Sequence, residues 1–218
     1  ALDITSELLN TDSLVIKEFI NLIKDNEIYN EIIKDVKEQF FVDDRVHGIS
    51  HNERTTMIAG YLGIKEGLND DELKILLYAA LYHDIGRKEF KKGTRGIGSM
   101  HGLKSSEIIE KNSDILVPDL SKEDIEKVKA LCIAHSINDS EIAKTLESYG
   151  INMDSALFKL IQILKDADAL DRVRLPHGNL DKNYLRTNFA KELAEKNVSR
   201  YLYNQYRQYE KSDKQDNN

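Results

Sequence analysis

The chain has 218 residues, of which 40% are hydrophobic and 32% are charged, a balance that excludes general disorder. Its formal net charge of −7 argues against extended nucleic-acid binding, because phosphate backbones would meet no excess of positive charge. The sequence contains no run of about 18 apolar residues, and its first residues lack the basic and apolar regions of a signal peptide. We therefore expect no membrane partner and a cytoplasmic location, and the single cysteine, Cys132, fits a reducing compartment. The oligomeric state is left open, with a homodimer as one option.

The first half of the chain predicts helices in succession. Apolar residues recur at helical spacing from Ile4 to about Phe41, which fits two amphipathic helices. Another helix is expected from Ser50 toward Gly67. Asn69 and Glu72 form a capping-box pattern at the start of a further helix over residues 70–85.

The second half continues the helical pattern. Residues 87–99 contain three glycines and several lysines, which is typical of a mobile loop that could cover a site. Further helices are predicted over residues 100–111, 121–135, 154–170 and 189–209. With only two prolines in the chain, the expected fold class is all-α.

We expect one domain, a single helical bundle with N- and C-terminal helical extensions. Residues 1–44 would form an N-terminal extension packed on the core, and residues 45–186 would form the core itself. Residues 187–210 would form a C-terminal helix, and the polar residues 211–218 are expected to be a disordered tail.

Four residues on or beside the predicted helices could bind a metal ion. His83 and Asp84 close the run LLYAALYHD, where a charge needs a strong compensating partner such as a metal ion. His51 lies near the start of the preceding helix and can supply an imidazole. Asp168, in LFKLIQILKDADAL, can supply another carboxylate. These residues could share one metal site if their helices close around the end of the His83 helix.

The order H…HD…D resembles the HD superfamily of metal-dependent phosphohydrolases. It is carried by His51 in HGISHNERT, by His83 and Asp84 in LYHDIGR, and by Asp168 in LKDADALD. The resemblance covers roughly residues 45–174, so the predicted core is identified as an HD phosphohydrolase core. It implies that these four residues bind one metal ion.

Two further histidines match the binuclear variant of this superfamily, His101 in SMHGLKSSEII and His135 in ALCIAHS. The resemblance implies a second metal ion held by Asp84, His101 and His135, with Asp84 bridging the two ions. A mononuclear site is the alternative. Mixed nitrogen and oxygen ligation suits one or two divalent transition-metal ions, Fe, Mn, Co or Zn, with Mg as a further option.

Three other residues could support this metal centre. Asp166 and Asp171 compete with Asp168 for the final ligand position, and the family alignment favours Asp168. Asp171 lies three residues on and could orient a ligand imidazole, whereas Asp166 is expected to be structural. His47 could contact a ligand residue or the substrate, and a structural role at the helix start is an equal alternative.

Basic residues near the expected ligands could bind a small phosphorylated substrate. Arg54, Lys104 and Arg172 each lie about one helical turn from a ligand, and Arg54 matches the arginine that commonly follows the first HD histidine. Arg54 and Lys104, together with Asp84, are expected to act in catalysis, the cations by stabilising charge on phosphate oxygens. The segment after Asp168 adds three more candidates for substrate binding, Arg174, Lys182 and Arg186. Solvated surface charge is the alternative for each cation.

The expected activity is hydrolysis of a phosphomonoester or phosphodiester, with nucleotides among the candidate substrates. After His83 and Asp84 the chain reads IGRKEF, which lacks the paired acids of guanosine alarmone hydrolases. The GYP signature of cyclic-di-GMP phosphodiesterases is also missing downstream, so neither activity is expected. An HD-type di-iron oxygenase and a metal-stabilised helical sensor or binding module without turnover are the alternatives. We assign no chemistry to Cys132 and expect packing or self-association roles for four tyrosines near the C-terminus, Tyr201, Tyr203, Tyr206 and Tyr209.

Overall fold

A computed structural model describes residues 2–23, 38–43, 46–90, 100–175 and 180–216. Every regular element in these residues is helical, which confirms the all-α fold class. The helices are α1 (Ile4–Leu9), α2 (Leu14–Ile23), α3 (Ile49–Lys65), α4 (Asp70–Tyr82), α5 (Met100–Lys111), α6 (Ser113–Leu116), α7 (Lys122–His135), α8 (Ile142–Ser148), α9 (Ser155–Leu170), α10 (Asn188–Glu195) and α11 (Val198–Asp216). Short 3₁₀ helices cover Ile85–Glu89, Asp139–Glu141, Asp171–Arg174 and Lys182–Tyr184.

The sequence signals for helix starts are confirmed at three caps. The Asn69 side chain accepts a hydrogen bond from the Glu72 amide at 2.9 Å, and the Glu72 carboxylate accepts one from the Asn69 amide at 3.1 Å. Ser121 caps α7 at 3.1 Å, and Asp154 caps α9 at 2.8 Å. Each cap accepts a hydrogen bond from an amide that has no partner within the helix, so each helix begins directly after its capping residue.

Helix α3 is the central element of the bundle. It packs against α4 and α9, while α4 packs on α7 and α5 packs on α7 and the first 3₁₀ helix. All residues from His51 to Gly63 are buried, so α3 has no solvent face over most of its length. Its buried residues include apolar ones such as Ile58 and Leu62, both 0% exposed, and polar ones in its first turns, such as His51 and Arg54.

The last predicted helix differs from the structure in two ways. The single helix expected over residues 189–209 is divided into α10 and α11 by Asn197, whose φ of 52° is left-handed. Asparagine tolerates this conformation better than most residues, and it ends the first helix. Helix α11 continues to Asp216 instead of ending near Tyr209, because Glu, Lys and Gln in this stretch favour helix.

Other expectations concern residues outside the described part of the chain. The second N-terminal helix falls largely in residues 24–37, and most of the expected loop falls in residues 91–99. The helices that are described include none with the length and apolar character that crossing a membrane requires.

Candidate metal centre

The four residues of the HD pattern converge in the core of the bundle. His51 comes from α3, His83 and Asp84 from the end of α4, and Asp168 from the last turn of α9. His51 Nε2 lies 3.2 Å from His83 Nε2, 3.3 Å from Asp84 Oδ2 and 3.2 Å from Asp168 Oδ1. His83 Nε2 lies 3.6 and 3.5 Å from the same two oxygens. Ligands roughly 2.1 Å from a shared ion are about 3.0–3.5 Å apart, so this spacing suits one metal ion.

A second group forms around the other oxygen of Asp84. Asp84 Oδ1 lies 3.5 Å from His101 Nε2 and 3.3 Å from His135 Nε2, and these two nitrogens are 3.1 Å apart. The two oxygens of one buried carboxylate therefore face two different pairs of histidines. This is the arrangement that a carboxylate bridging two metal ions requires.

Hydrogen bonds at the far side of three imidazoles fix their tautomers. His51 Nδ1 donates to Asp171 Oδ2 at 2.7 Å, and His83 Nδ1 donates to the Ala80 carbonyl at 2.6 Å. His135 Nδ1 donates to the Cys132 carbonyl at 2.5 Å. Because these acceptors have no hydrogen to give, Nδ1 carries the proton in each neutral ring, and Nε2 then offers its lone pair to a metal ion at the centre of the cluster. Such lone pairs repel each other and the carboxylates unless a cation lies between them, so the donor set fits a metal ion.

The electrostatics of the first group also favour a bound cation. Burial raises the pKa of Asp84, but the neighbouring imidazoles of His83, His135 and His51 hold it well below its usual range. The pKa of His51 is lowered by burial and Arg174, but contacts with Asp168, Asp171 and Asp84 outweigh both and raise it to about 10. The carboxylates of Asp84, Asp168 and Asp171 are thus ionised at neutral pH, and they hold positive charge at His51, where a proton on Nε2 occupies the place that a metal ion would take.

Two glycines allow the second histidine pair to approach Asp84. A Cβ at Gly86 would overlap the His101 carbonyl and the Ser105 amide, and a Cβ at Gly102 would overlap the Cys132 carbonyl. The Ser105 hydroxyl donates to the His83 carbonyl at 2.7 Å and accepts from the Gly86 amide at 2.8 Å. The glycines in HDIGR and SMHGL therefore let α5 lie against the end of α4 and against α7.

The structure brings Arg54 behind the metal centre and away from its open side. Arg54 is 2% exposed, and its guanidinium binds Asp171 through Nε–Oδ1 and Nη2–Oδ2 hydrogen bonds of 2.8 and 3.1 Å. Asp171 in turn orients His51, the role for which its spacing marked it. Asp166 points elsewhere and accepts hydrogen bonds from the amides of Arg186 and Thr187, which is a structural role.

A cavity of about 520 Å³ opens on the metal centre, and its walls include Asp168 and His135. Asp168 is 29% exposed, whereas His51 and Asp84 are at most 2% exposed, so Asp168 forms the accessible edge of the first group. Basic side chains dominate the remaining polar wall of the cavity: His47, Arg87, Lys165, Arg172, Arg174 and Arg186. The apolar part of the wall includes Leu175 and Leu180.

Most of these cations already have partners in the protein. Arg87 Nε donates to Asp84 Oδ1 at 3.0 Å, and Arg174 Nε donates to the Val46 carbonyl at 2.7 Å. Lys165 and Arg186 both pair with Asp139, at 2.7 and 2.8 Å.

Arg172 differs from the other cations, because it is exposed and forms no ion pair among the described residues. Sequence reasoning singled out Arg172, Arg174 and Arg186, but it missed Arg87 and Lys165. Both lie three residues from a ligand, at the spacing that could have marked them.

Two other expected substrate residues lie elsewhere. Lys104 is not part of the cavity wall; it is 39% exposed and pairs with Glu107 on the surface of α5 at 3.0 Å. Lys182 lines a separate cavity of about 370 Å³, together with Arg200 of α11. Spacing of one turn along a helix did not specify which side of the bundle each cation faces.

The fold and this cluster define a class of protein, a helical domain with a buried histidine and aspartate site for divalent metal ions. The HD domain family matches residues 48–173, which is more than half of the chain, and the protein therefore belongs to the HD domain family. Members of this family are generally metal-dependent phosphohydrolases. Comparisons with curated proteins and with solved structures gave no significant match. Helices α10 and α11 lie outside the matched region.

Proposed function

We propose that this protein is a metal-dependent phosphohydrolase that cleaves a small phosphomonoester or phosphodiester. The observation that carries the proposal is the shared wall of the metal centre and the basic cavity, because Asp168 and His135 belong to both. A phosphate ester held by the cations would have its reacting phosphorus next to the histidine and aspartate cluster. A cavity of about 520 Å³ suits a small ligand rather than a polymer.

The proposed ligands of the first ion are His51, His83, Asp84 and Asp168, and those of the second are Asp84, His101 and His135. Metal ions in such a centre lower the pKa of water and offset negative charge on phosphoryl oxygens. The protein's own contribution is a set of fixed imidazoles and ionised carboxylates in a buried site. This arrangement keeps the donor atoms in place before the substrate arrives.

Arg172 is the proposed contact for the phosphate group. Its guanidinium is available on the cavity wall, and a planar fork of donors matches two phosphate oxygens at once. Arg174 and Arg186 lie on the same wall, but their bonds to Val46 and Asp139 leave them a smaller share of their donors for a substrate. They would add positive potential that attracts the anion.

The first experiment measures hydrolysis of p-nitrophenyl phosphate, bis-p-nitrophenyl phosphate and a set of nucleotides after loading with Mn, Fe, Co, Zn or Mg. We expect turnover of at least one ester and its loss in Asp84→Asn. If no ester is hydrolysed with any of these metals, the proposal is wrong. Oxygen consumption by the iron-loaded protein in the absence of ester hydrolysis would instead favour an oxygenase.

A second experiment tests the substrate contact with a matched pair of variants. Arg172→Ala should raise KM about tenfold with little change in kcat, because it removes a charged hydrogen bond to the phosphate. Lys104→Ala removes a cation that pairs with Glu107 on the surface and is not part of the cavity wall, and it should leave both constants unchanged. Equal effects of the two substitutions would contradict the assignment of Arg172.

A further inference from the structure

The last helix, which lies outside the HD-family match, reaches the metal centre through Arg54. The Arg54 guanidinium carbon lies 5.0 Å from the ring centroid of Tyr203 and 5.6 Å from that of Tyr206, both on α11. The Tyr206 hydroxyl also donates to the Met57 sulfur at 3.2 Å, which ties the same ring to α3. Two aromatic faces therefore enclose a guanidinium that is almost completely removed from solvent.

From Arg54 a continuous series of contacts leads to a proposed metal ligand. Both oxygens of Asp171 accept hydrogen bonds from the guanidinium, at 2.8 and 3.1 Å. Asp171 Oδ2 also accepts from His51 Nδ1 at 2.7 Å, and the opposite nitrogen of that ring faces the centre of the cluster. Arg54, Asp171 and His51 are each at most 2% exposed, so water does not compete for these bonds.

We propose that Tyr203 and Tyr206 are positioning residues for the first metal ion. They hold the Arg54 guanidinium against Asp171, and Asp171 then holds the His51 ring with its Nε2 lone pair toward the ion. Because Arg54 supplies two hydrogen bonds to the Asp171 carboxylate, a guanidinium that rotates away would leave that carboxylate with only His51 and a longer contact to Arg174 at 3.9 Å, and the His51 ring would be held less firmly. The C-terminal helix is thus part of the construction of the metal site and not only a cover for the core.

The alternative is that the two tyrosines only fill space between α11 and α3. Packing alone predicts that a substitution lowers the melting temperature and leaves the metal affinity of the folded protein unchanged. Positioning predicts a loss of metal affinity in a protein that is still folded, and it predicts that phenylalanine rescues the loss. Phenylalanine keeps the aromatic ring that contacts the guanidinium. Leucine is also apolar, but it has no aromatic ring.

The test is a titration of the full chain with Co²⁺, followed by the visible absorption of the bound ion and by calorimetry. We expect Tyr203→Leu and Tyr206→Leu to raise the Kd of the first metal ion, the one assigned to the His51 side, about tenfold and to change the cobalt spectrum, because ligand-orienting contacts contribute about 10- to 100-fold to affinity. Tyr203→Phe should keep the wild-type affinity and spectrum. Tyr201→Leu is the matched control, because Tyr201 is on the same helix, is 43% exposed and shows no contact with Arg54.

Wild-type affinity and spectrum in folded Tyr203→Leu and Tyr206→Leu would overturn the proposal, and so would an equal loss in Tyr201→Leu. If a leucine variant fails to fold, Arg54→Lys is the deciding variant. Lysine keeps the positive charge but cannot form the two parallel hydrogen bonds to Asp171. That variant should bind Co²⁺ at least tenfold more weakly, and wild-type affinity would overturn the proposal.

The inference rests on the proposed metal site but not on the proposed reaction. Absence of ester hydrolysis together with weakened Co²⁺ binding in the leucine variants would refute the phosphohydrolase and support the positioning role.

Discussion

Gly86→Ala tests whether the close contact between α5 and the end of α4 places His101 correctly for the second metal ion. The added Cβ would overlap two backbone atoms of α5, the His101 carbonyl oxygen and the Ser105 nitrogen, which have no rotamer by which to move aside. Relief requires α5 to shift by about 1 Å, since carbon atoms pack at roughly 3.5–4.0 Å. His101 is carried on the first turn of α5, so the same shift moves its Nε2 away from Asp84.

Overpacking of this kind costs about 1–3 kcal/mol, which is roughly 2–12 °C in melting temperature for a chain of this size. A displacement of about 1 Å at a catalytic group costs on the order of 100-fold in rate. We therefore expect Gly86→Ala to bind the second metal ion at least tenfold less tightly and to lose about 100-fold in ester hydrolysis. The first ion should be retained, because His51 and Asp168 do not belong to α5.

Calorimetric metal titration and thermal unfolding measure both effects. Gly60→Ala is the control, because Gly60 is also a buried helical glycine but its added Cβ would meet only side-chain ends, the nearest being Ile16 Cδ1 at 3.1 Å. Side-chain ends can rearrange, so this control should alter stability without altering metal stoichiometry. If Gly86→Ala binds two ions with wild-type affinities, the contact is not what positions His101 and the reasoning is refuted.

Three further predictions concern the ligands and their supports. Asp84→Ala should bind neither ion and His135→Ala should bind one, as measured by metal content after dialysis, because Asp84 is the residue that the two proposed ligand sets share. Asp166→Ala should lower the free energy of unfolding by about 3 kcal/mol in denaturant titrations, because it leaves the amides at the start of α10 without their buried acceptor. The hydrogen bond from Arg186 and the contact with Lys165 hold the pKa of Asp139 at about 2 against the effect of burial. Its stabilising effect should be complete above about pH 4 and lost as pH falls through 2, so wild type and Asp139→Asn should converge in stability over that range.

The clustering of the histidines and aspartates and the positions of the helix caps could both be predicted from sequence, the first mainly from the resemblance to the HD superfamily and the second from local patterns. An apolar run that ends in His83 and Asp84 needs a partner for its buried charge, and the order of the remaining histidines and aspartates supplied candidates for one. Asn69 and Glu72 carry their own capping geometry, since both partners lie within one helical turn. Neither inference required knowledge of how the helices cross.

The directions of the basic side chains could not be predicted in this way. Arg54 lies one turn from His51, but α3 is buried on all sides, and the shared face is the one toward Asp171 rather than the cavity. Lys104 lies one turn from His101 and yet pairs with Glu107 on the surface. Helical spacing specifies which residues share a face, whereas the packing of other helices decides whether that face meets the core, the cavity or solvent.

The two proposed metal positions are unequal in charge. The first has two carboxylates among its ligands, Asp84 and Asp168, and a third carboxylate, Asp171, behind His51. The second has only the remaining oxygen of Asp84, and the Arg87 guanidinium donates to that same oxygen at 3.0 Å.

A fixed positive charge beside the bridging carboxylate repels a second cation and occupies one of its acceptor sites, so the ions should load in two separate steps, the His51 side first. Arg87→Gln removes that charge and should tighten the second step in calorimetric titrations while leaving the first nearly unchanged. Equal tightening of both steps would mean that Arg87 acts on the whole centre through its general field. No change would mean that the shared oxygen does not limit binding of the second ion, and that the difference between the two positions comes from Asp168 and Asp171 on the first side.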